Sequence, residues 1–145
     1  MAINTQKVLI GGIAAGVVMN IIDFVTNTYI LSAQMKAATD AFKPGLSDQM
    51  MKGSAIASYI IMDFVLGIAL VWTYAAIRPR FGPGIKTAFY AAVLFWIVTG
   101  IAMSGYLHMG MVPMGLWMSF ALIGLVNYLL SAWAGAKLYS EASAG

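Results

Sequence analysis

Apolar residues run through this chain in four long stretches, from about Val8 to Leu31, Ala55 to Ile77, Thr87 to His108 and Met114 to Leu138, and polar residues gather between them. Each stretch reaches the roughly 20 apolar residues that a helix needs to cross hydrocarbon, where the backbone must satisfy its own hydrogen bonds. The pattern predicts four membrane-spanning helices. Lys43-Pro44-Gly45 breaks the chain in the first connection, Arg78-Pro79-Arg80-Phe81-Gly82-Pro83-Gly84 reads as a rigid turn, and Val112-Pro113 precedes the last span. The first connection, Gln34 to Ser54, is long and alternates Met, Ala and Phe with Lys and Asp, as a short helix lying on a membrane surface would. The other two are tight, so successive spans should pack antiparallel. The expected fold is all-α: a membrane-embedded antiparallel four-helix bundle, one transmembrane domain over residues 1–145. The first stretch is longer than the apolar run of a signal peptide and lacks a small-x-small cleavage site, so it is expected to stay as a mature helix.

Composition agrees with this pattern. Of 145 residues 61% are hydrophobic and only 9% charged, too little polar side chain to cover a water-facing surface of ordinary make-up. With no Cys, disulfide frameworks, thiolate metal sites and cysteine nucleophiles are excluded. The net charge of +3 is spread over short segments without a basic stripe, which argues against nucleic acid as a partner. Its distribution speaks to orientation instead. Lys7, Arg78, Arg80, Lys86 and Lys137 fall on one side of the predicted spans and Lys36, Lys43 and Lys52 on the other, where Asp40 and Asp48 dilute them. The positive-inside rule then places both termini in the cytoplasm. Trp72, Tyr74, Tyr106, Trp117, Trp133 and Tyr139 lie near span ends, as interfacial aromatics do.

Two acids interrupt the apolar spans, Asp23 and Asp63. An ionised carboxylate at a helix centre costs about 2.5 to 3.5 kcal/mol on insertion scales, so each asks for an explanation. On the first span Gly12, Gly16, Asn20, Asp23 and Asn27 recur at helical spacing on one face, small at one end and polar at the other. Gly12 to Gly16 is a GxxxG step suited to close helix contact. Because the second span runs the other way, a 1.5 Å rise per residue brings Asp23 and Asp63 to one depth, each roughly 4.5 Å from the midplane. Ile22-Asp23-Phe24-Val25 beside Met62-Asp63-Phe64-Val65, with Gly67 a turn on, is a short internal echo. On the fourth span Gly124, Asn127, Ser131 and Gly135 share a face, and on the third Trp96, Gly100, Ser104 and His108 do, as if all four helices converged on one interior. No Lys or Arg lies inside the spans to pair with the acids. Two explanations stay open: protonated Asp and Asn side chains that hold helices together, or a proton or cation site of Asp23 and Asp63 with Asn20, Asn27 and Asn127 as neutral partners.

The single His stands in His108-Met109-Gly110-Met111-Val112-Pro113-Met114. Imidazole and thioether ligands suit Cu(I), which makes His108, Met109, Met111 and Met114 a candidate metal segment, although Met also fills gaps in apolar helices and the spacing matches no fixed metal motif. Catalysis has little to stand on, because one His and no Cys leave only Asp23 and Asp63 as a pair, without the glycine pattern of intramembrane aspartyl proteases. The prolines of the turn at 78–84 also rule out a phosphate-binding glycine loop there. No enzyme and no cofactor is expected.

At Asn4-Thr5-Gln6-Lys7-Val8-Leu9-Ile10-Gly11-Gly12 and Tyr74-Ala75-Ala76-Ile77-Arg78-Pro79-Arg80-Phe81-Gly82-Pro83-Gly84 the chain resembles small, uncharacterised bacterial four-span membrane proteins. The resemblance implies a bacterial inner membrane and carries no activity. Functionally, the sequence is read first as a structural or accessory subunit that meets lipid and either copies of itself or other membrane subunits through its small-residue stripes. The alternative is a proton- or cation-coupled small-solute transporter built on the Asp pair, and below that Cu(I) binding.

Overall fold

The computed structural model describes residues 3–141. These form six α-helices and one π-helical turn, with no strand among the described residues. Helix α1, Thr5–Val25, passes into the π turn Thr26–Ile30; α2, Ser32–Phe42, and α3, Leu46–Met50, are short; α4, Gly53–Phe81, α5, Ile85–His108, and α6, Met114–Leu138, are long. Four segments are long and apolar enough to cross a membrane: Thr5–Ile30, Gly53–Phe81, Ile85–His108 and Met114–Leu138.

Helices α1, α4 and α5 begin before their expected limits and α4 also runs past its own, for local reasons, whereas α6 keeps the expected Met114–Leu138. Asn4 caps α1, its side-chain oxygen accepting the Lys7 N–H at 3.1 Å, so the helix begins three residues before the apolar run. Pro79 lies inside α4 and the helix carries on to Phe81, where Gly82 closes it by donating to the Arg78 carbonyl at 2.8 Å. Proline in a last turn forfeits one intrahelical N–H and little else, so the rigid turn expected over 78–84 contracts to Gly82–Gly84. Gly82 and Gly84, with φ of 83° and 120°, adopt backbone angles that a side chain would resist. The long first connection is a pair of helices, α2 and α3, where a single surface helix was expected.

The long helices meet through small residues. A Cβ on Gly67 of α4 would stand 2.5 Å from the Gly12 carbonyl oxygen and 2.6 Å from the Gly16 nitrogen of α1, so the two backbones touch. Gly16 faces Phe64 and Gly12 faces Ile68, an antiparallel register. On its other side α1 meets α6, where Gly11 packs on Gly135. Gly12, Gly16, Gly67 and Gly135 thus lie in tight helix contacts, and Gly11 joins them although it stands off the face on which the sequence pattern drew the stripe. Helix α5 packs against α6 and α4.

Burial is concentrated at one end. Val8, Ala15 and Met19 of α1 meet Leu70, Val71, Tyr74 and Ala75 of α4, Ala88, Ala91 and Ala92 of α5 and Ala132 of α6 in one core. That end holds the start of α1, the end of α6 and the α4–α5 turn. In the opposite halves, α4 has no buried residue before Gly67 and α5 none after Ala92. The third-span stripe therefore does not converge on a common interior as expected: Trp96 reaches α6, but a Cβ on Gly100 would meet nothing within 4 Å, and His108 is exposed. Gly124 has only the edge of Trp96 near it, at 4.0 Å. Tyr74 and Tyr139 belong to the core and pack edge-on at 5.8 Å.

Candidate functional site

Just beyond the packed end the helices bury fewer side chains, and there the polar groups of α1, α4 and α6 meet. Asn127, 7% exposed, donates from Nδ2 to Asp23 Oδ1 at 2.8 Å, joining α6 to α1. Its own Oδ1 accepts from the fully buried Ser131 hydroxyl at 3.1 Å, so the amide is fixed at both ends. Helical spacing of four residues makes this possible, because Ser131 stands one turn below Asn127 on the same face. Asn20 bridges α1 to α4, donating to the carbonyls of Gly16 at 2.9 Å and Ile60 at 3.3 Å.

Asp63 enters from α4, half-buried and within electrostatic reach of Asp23. It makes no side-chain hydrogen bond among the described residues. The two acids therefore differ: Asp23 has one oxygen held by an amide, and Asp63 has none. Tyr128, beside Thr99 of α5, lies within electrostatic reach of both. Its place next to Asn127 in the chain gives no polar periodicity that would have marked it in advance. Neither acid has a Lys or Arg partner, since the ion pairs among the described residues lie elsewhere.

Asn27 does not join this network. Its amide turns back onto its own helix and donates to the Asp23 carbonyl at 2.8 Å, in an exposed position. That carbonyl also accepts the Thr26 N–H, and from Thr26 the ladder widens to the π spacing, with the Leu31 N–H on the Thr26 carbonyl at 2.8 Å. A side-chain amide competing for a backbone carbonyl accounts for the local change of winding, and π turns of this kind recur at functional sites. An apolar groove of about 420 Å³ lined by Ile22, Val25, Thr26, Leu122, Ile123 and Val126 runs beside this turn. The internal echo is not one of position: Phe64 lies on Gly16, whereas its counterpart Phe24 is exposed and edge-on to Tyr29 at 6.0 Å.

His108, Met109, Met111 and Met114 fall together in the α5–α6 connection, His108 with Nδ1 at 2.7 Å from the Ser104 carbonyl and Met109 and Met114 exposed. No group of three or more His, Cys, Asp or Glu is placed to hold a metal ion among the described residues. No family model, curated protein or solved structure matches the chain.

Proposed function

We propose that this chain is an antiparallel four-helix bundle embedded in a bacterial inner membrane, with both termini cytoplasmic, and that Asp23 and Asp63 exchange protons or small cations in the movement of a small solute. The observation that carries the reading is the asymmetry of the pair. A polar side chain serving only as glue between helices spends its hydrogen-bonding capacity on a partner, as Asn20 does. Asp63 has no such partner, no cation near it, and a second acid within electrostatic reach. Two acids so placed cannot both stay ionised in a low dielectric without a shared proton or a bound cation. Asn127, locked by Ser131, supplies a fixed neutral donor to Asp23 and leaves its second oxygen available.

The test is reconstitution in sealed vesicles with a pH-sensitive dye inside. Asp23→Asn keeps an oxygen to accept from Asn127, and Asp63→Asn disturbs no hydrogen bond, so both variants should fold and elute as the parent does. Proton-linked flux should fall at least tenfold in each. Flux equal to that of the parent in both variants would remove this reading.

A second reading, a structural or accessory subunit, is favoured by a different observation. Gly100 and Gly105 of α5 and Gly115 of α6 have nothing within 4 Å of where a Cβ would stand, leaving small-residue surface that a further helix from another copy or another subunit would fill. It requires a stable oligomer or a co-purifying chain after mild detergent extraction.

A further inference from the structure

At the packed end, away from the acids, the last turns of α4 and α6 and the start of α5 enclose a pocket of about 240 Å³ lined by Tyr74, Arg78, Ile85, Trp133, Lys137 and Tyr139, among others. Arg78 is its unusual member. Its side chain is only 18% exposed, and two of its guanidinium nitrogens, Nε and Nη1, are buried with no hydrogen-bond partner among the described residues. Glu141 brings Oε1 to 3.3 Å from Nη1, an ion-pair distance without the alignment of a hydrogen bond. The Tyr139 ring lies beneath the guanidinium at 5.5 Å. Arg78 thus has its charge placed by the fold and only partly answered by Glu141, and the directed bonds that its planar fork could make are not formed.

The rest of the pocket is suited to an anion. Lys137 reaches the same space with Nζ held 4.0 Å over the Trp133 ring. Helix α5 begins at the pocket wall with no side-chain cap, and the Gly84 N–H is already committed to the Tyr74 hydroxyl at 3.2 Å, which fixes that wall in place. Arg80, Lys86 and Lys7 add positive charge at the same end of the molecule, where Glu141 is the acid among the described residues. Ile85, Ala136 and Trp133 give the pocket an apolar side as well.

We propose that this pocket is a phosphate site, with Arg78 and Lys137 holding the oxygens of a phosphate group. Two sources carry that group, an anionic phospholipid headgroup and free phosphate; the position at the end of three spans and the apolar side match the first. Lysine adds a point charge and arginine the directional fork, so the two contribute separately.

The full chain in an uncharged detergent is the material for the test, with phosphatidylglycerol, phosphatidylcholine and inorganic phosphate as probes. Native mass spectrometry should show phosphatidylglycerol retained in preference to phosphatidylcholine. Arg78→Gln should weaken that retention at least about tenfold, as loss of a buried charge-assisted donor does. Lys137→Gln should weaken it about fivefold. Arg80→Gln removes the same charge from an exposed position outside the pocket and should change it less than about twofold. Inorganic phosphate that displaces the lipid, and raises the melting temperature of the parent but not of Arg78→Gln at matched ionic strength, assigns the site to the free ion; lipid that resists displacement assigns it to the headgroup. Equal weakening by all three substitutions would mean surface charge alone and would overturn the proposal, as would no weakening by any. Should Arg78→Gln fail to fold, Lys137→Gln, at an exposed position, decides with Arg78→Lys as the charge-retaining control.

Discussion

Asp40 and Ser47 show what a single side chain does for a segment with almost no core of its own. Asp40 accepts the Ser47 N–H at 3.0 Å and the Ser47 hydroxyl at 2.8 Å, and Lys36 closes the cluster at 3.1 Å from Asp40 and 3.8 Å from Asp48. The Ser47 backbone bond, then its hydroxyl, hold the Asp40 carboxyl down to about 2 from an ordinary 3.8, and Asp40 in turn raises Lys36. The sign follows from the depressed value. The bonds that favour the carboxylate are at full strength above about pH 4, and their contribution is lost as pH falls through about 2. Hydrogen exchange at the Ser47 amide, corrected for intrinsic rate, should show protection constant from pH 7 to 4 and declining below. In Asp40→Asn protection should be low throughout and independent of pH over that range. Decline at the same pH in both would show that another group is responsible. This pin lies outside the spans and tests the α2–α3 arrangement without disturbing the acids within them.

Among the helices the decisive contact is α1 on α4. Gly67→Ala would drive a methyl into the Gly12 carbonyl and the Gly16 nitrogen, atoms of backbone that no rotamer change can move aside. Overpacking of this kind costs about 1 to 3 kcal/mol. Gly100→Ala meets open space and gains about 1 kcal/mol of helix propensity. Thermal unfolding in detergent should therefore rank the chains with Gly100→Ala at or above the parent and Gly67→Ala several degrees below; the reverse order would show that α1 and α4 are not in backbone contact. The four long apolar helices were legible in the sequence because apolar run length alone sets them, and the Gly12, Gly16 and Gly67 contacts because helical spacing does. The end of close burial at Gly67 and Ala92 was not. It depends on where small residues stop permitting close approach, and a periodic stripe such as Gly100, Ser104 and His108 reads the same whether a neighbour reaches it or not. The network was legible in its members Asp23, Asn20 and Asn127, but the inward turn of Asn127 and the outward turn of Asn27 are rotamer outcomes that residue type does not encode. Arg78 was read as a loop charge because proline ordinarily ends a helix before it.

For the whole molecule, charge separates into two ends whose characters differ. Lys7, Arg78, Arg80, Lys86 and Lys137 stand at the packed end with Glu141 as the acid among the described residues. At the other end Lys36 is neutralised by Asp40 and Asp48, which leaves Lys43 and Lys52 as the charges that oppose the first group. Since orientation in a membrane follows uncompensated Lys and Arg in short connections, and Glu141 answers Arg78 at its own end, the packed end should be cytoplasmic by four such charges to two. The absence of Cys makes this measurable with single introduced thiols. Met51 is 72% exposed at the α3 end and Phe81, edge-on to Tyr90 at 5.4 Å, is 53% exposed at the α4–α5 turn, so both positions are open to a reagent. In intact spheroplasts a membrane-impermeant maleimide should label Met51→Cys, and should label Phe81→Cys only after lysis. Replacing Arg78, Arg80 and Lys86 together with Gln removes three of the five charges of the packed end and should give mixed labelling, because Lys7 and Lys137 then stand against Lys43 and Lys52. Labelling of Phe81→Cys from outside in the parent chain would place the termini outside as well, and the pocket of Arg78 and Lys137 would then face the outer leaflet.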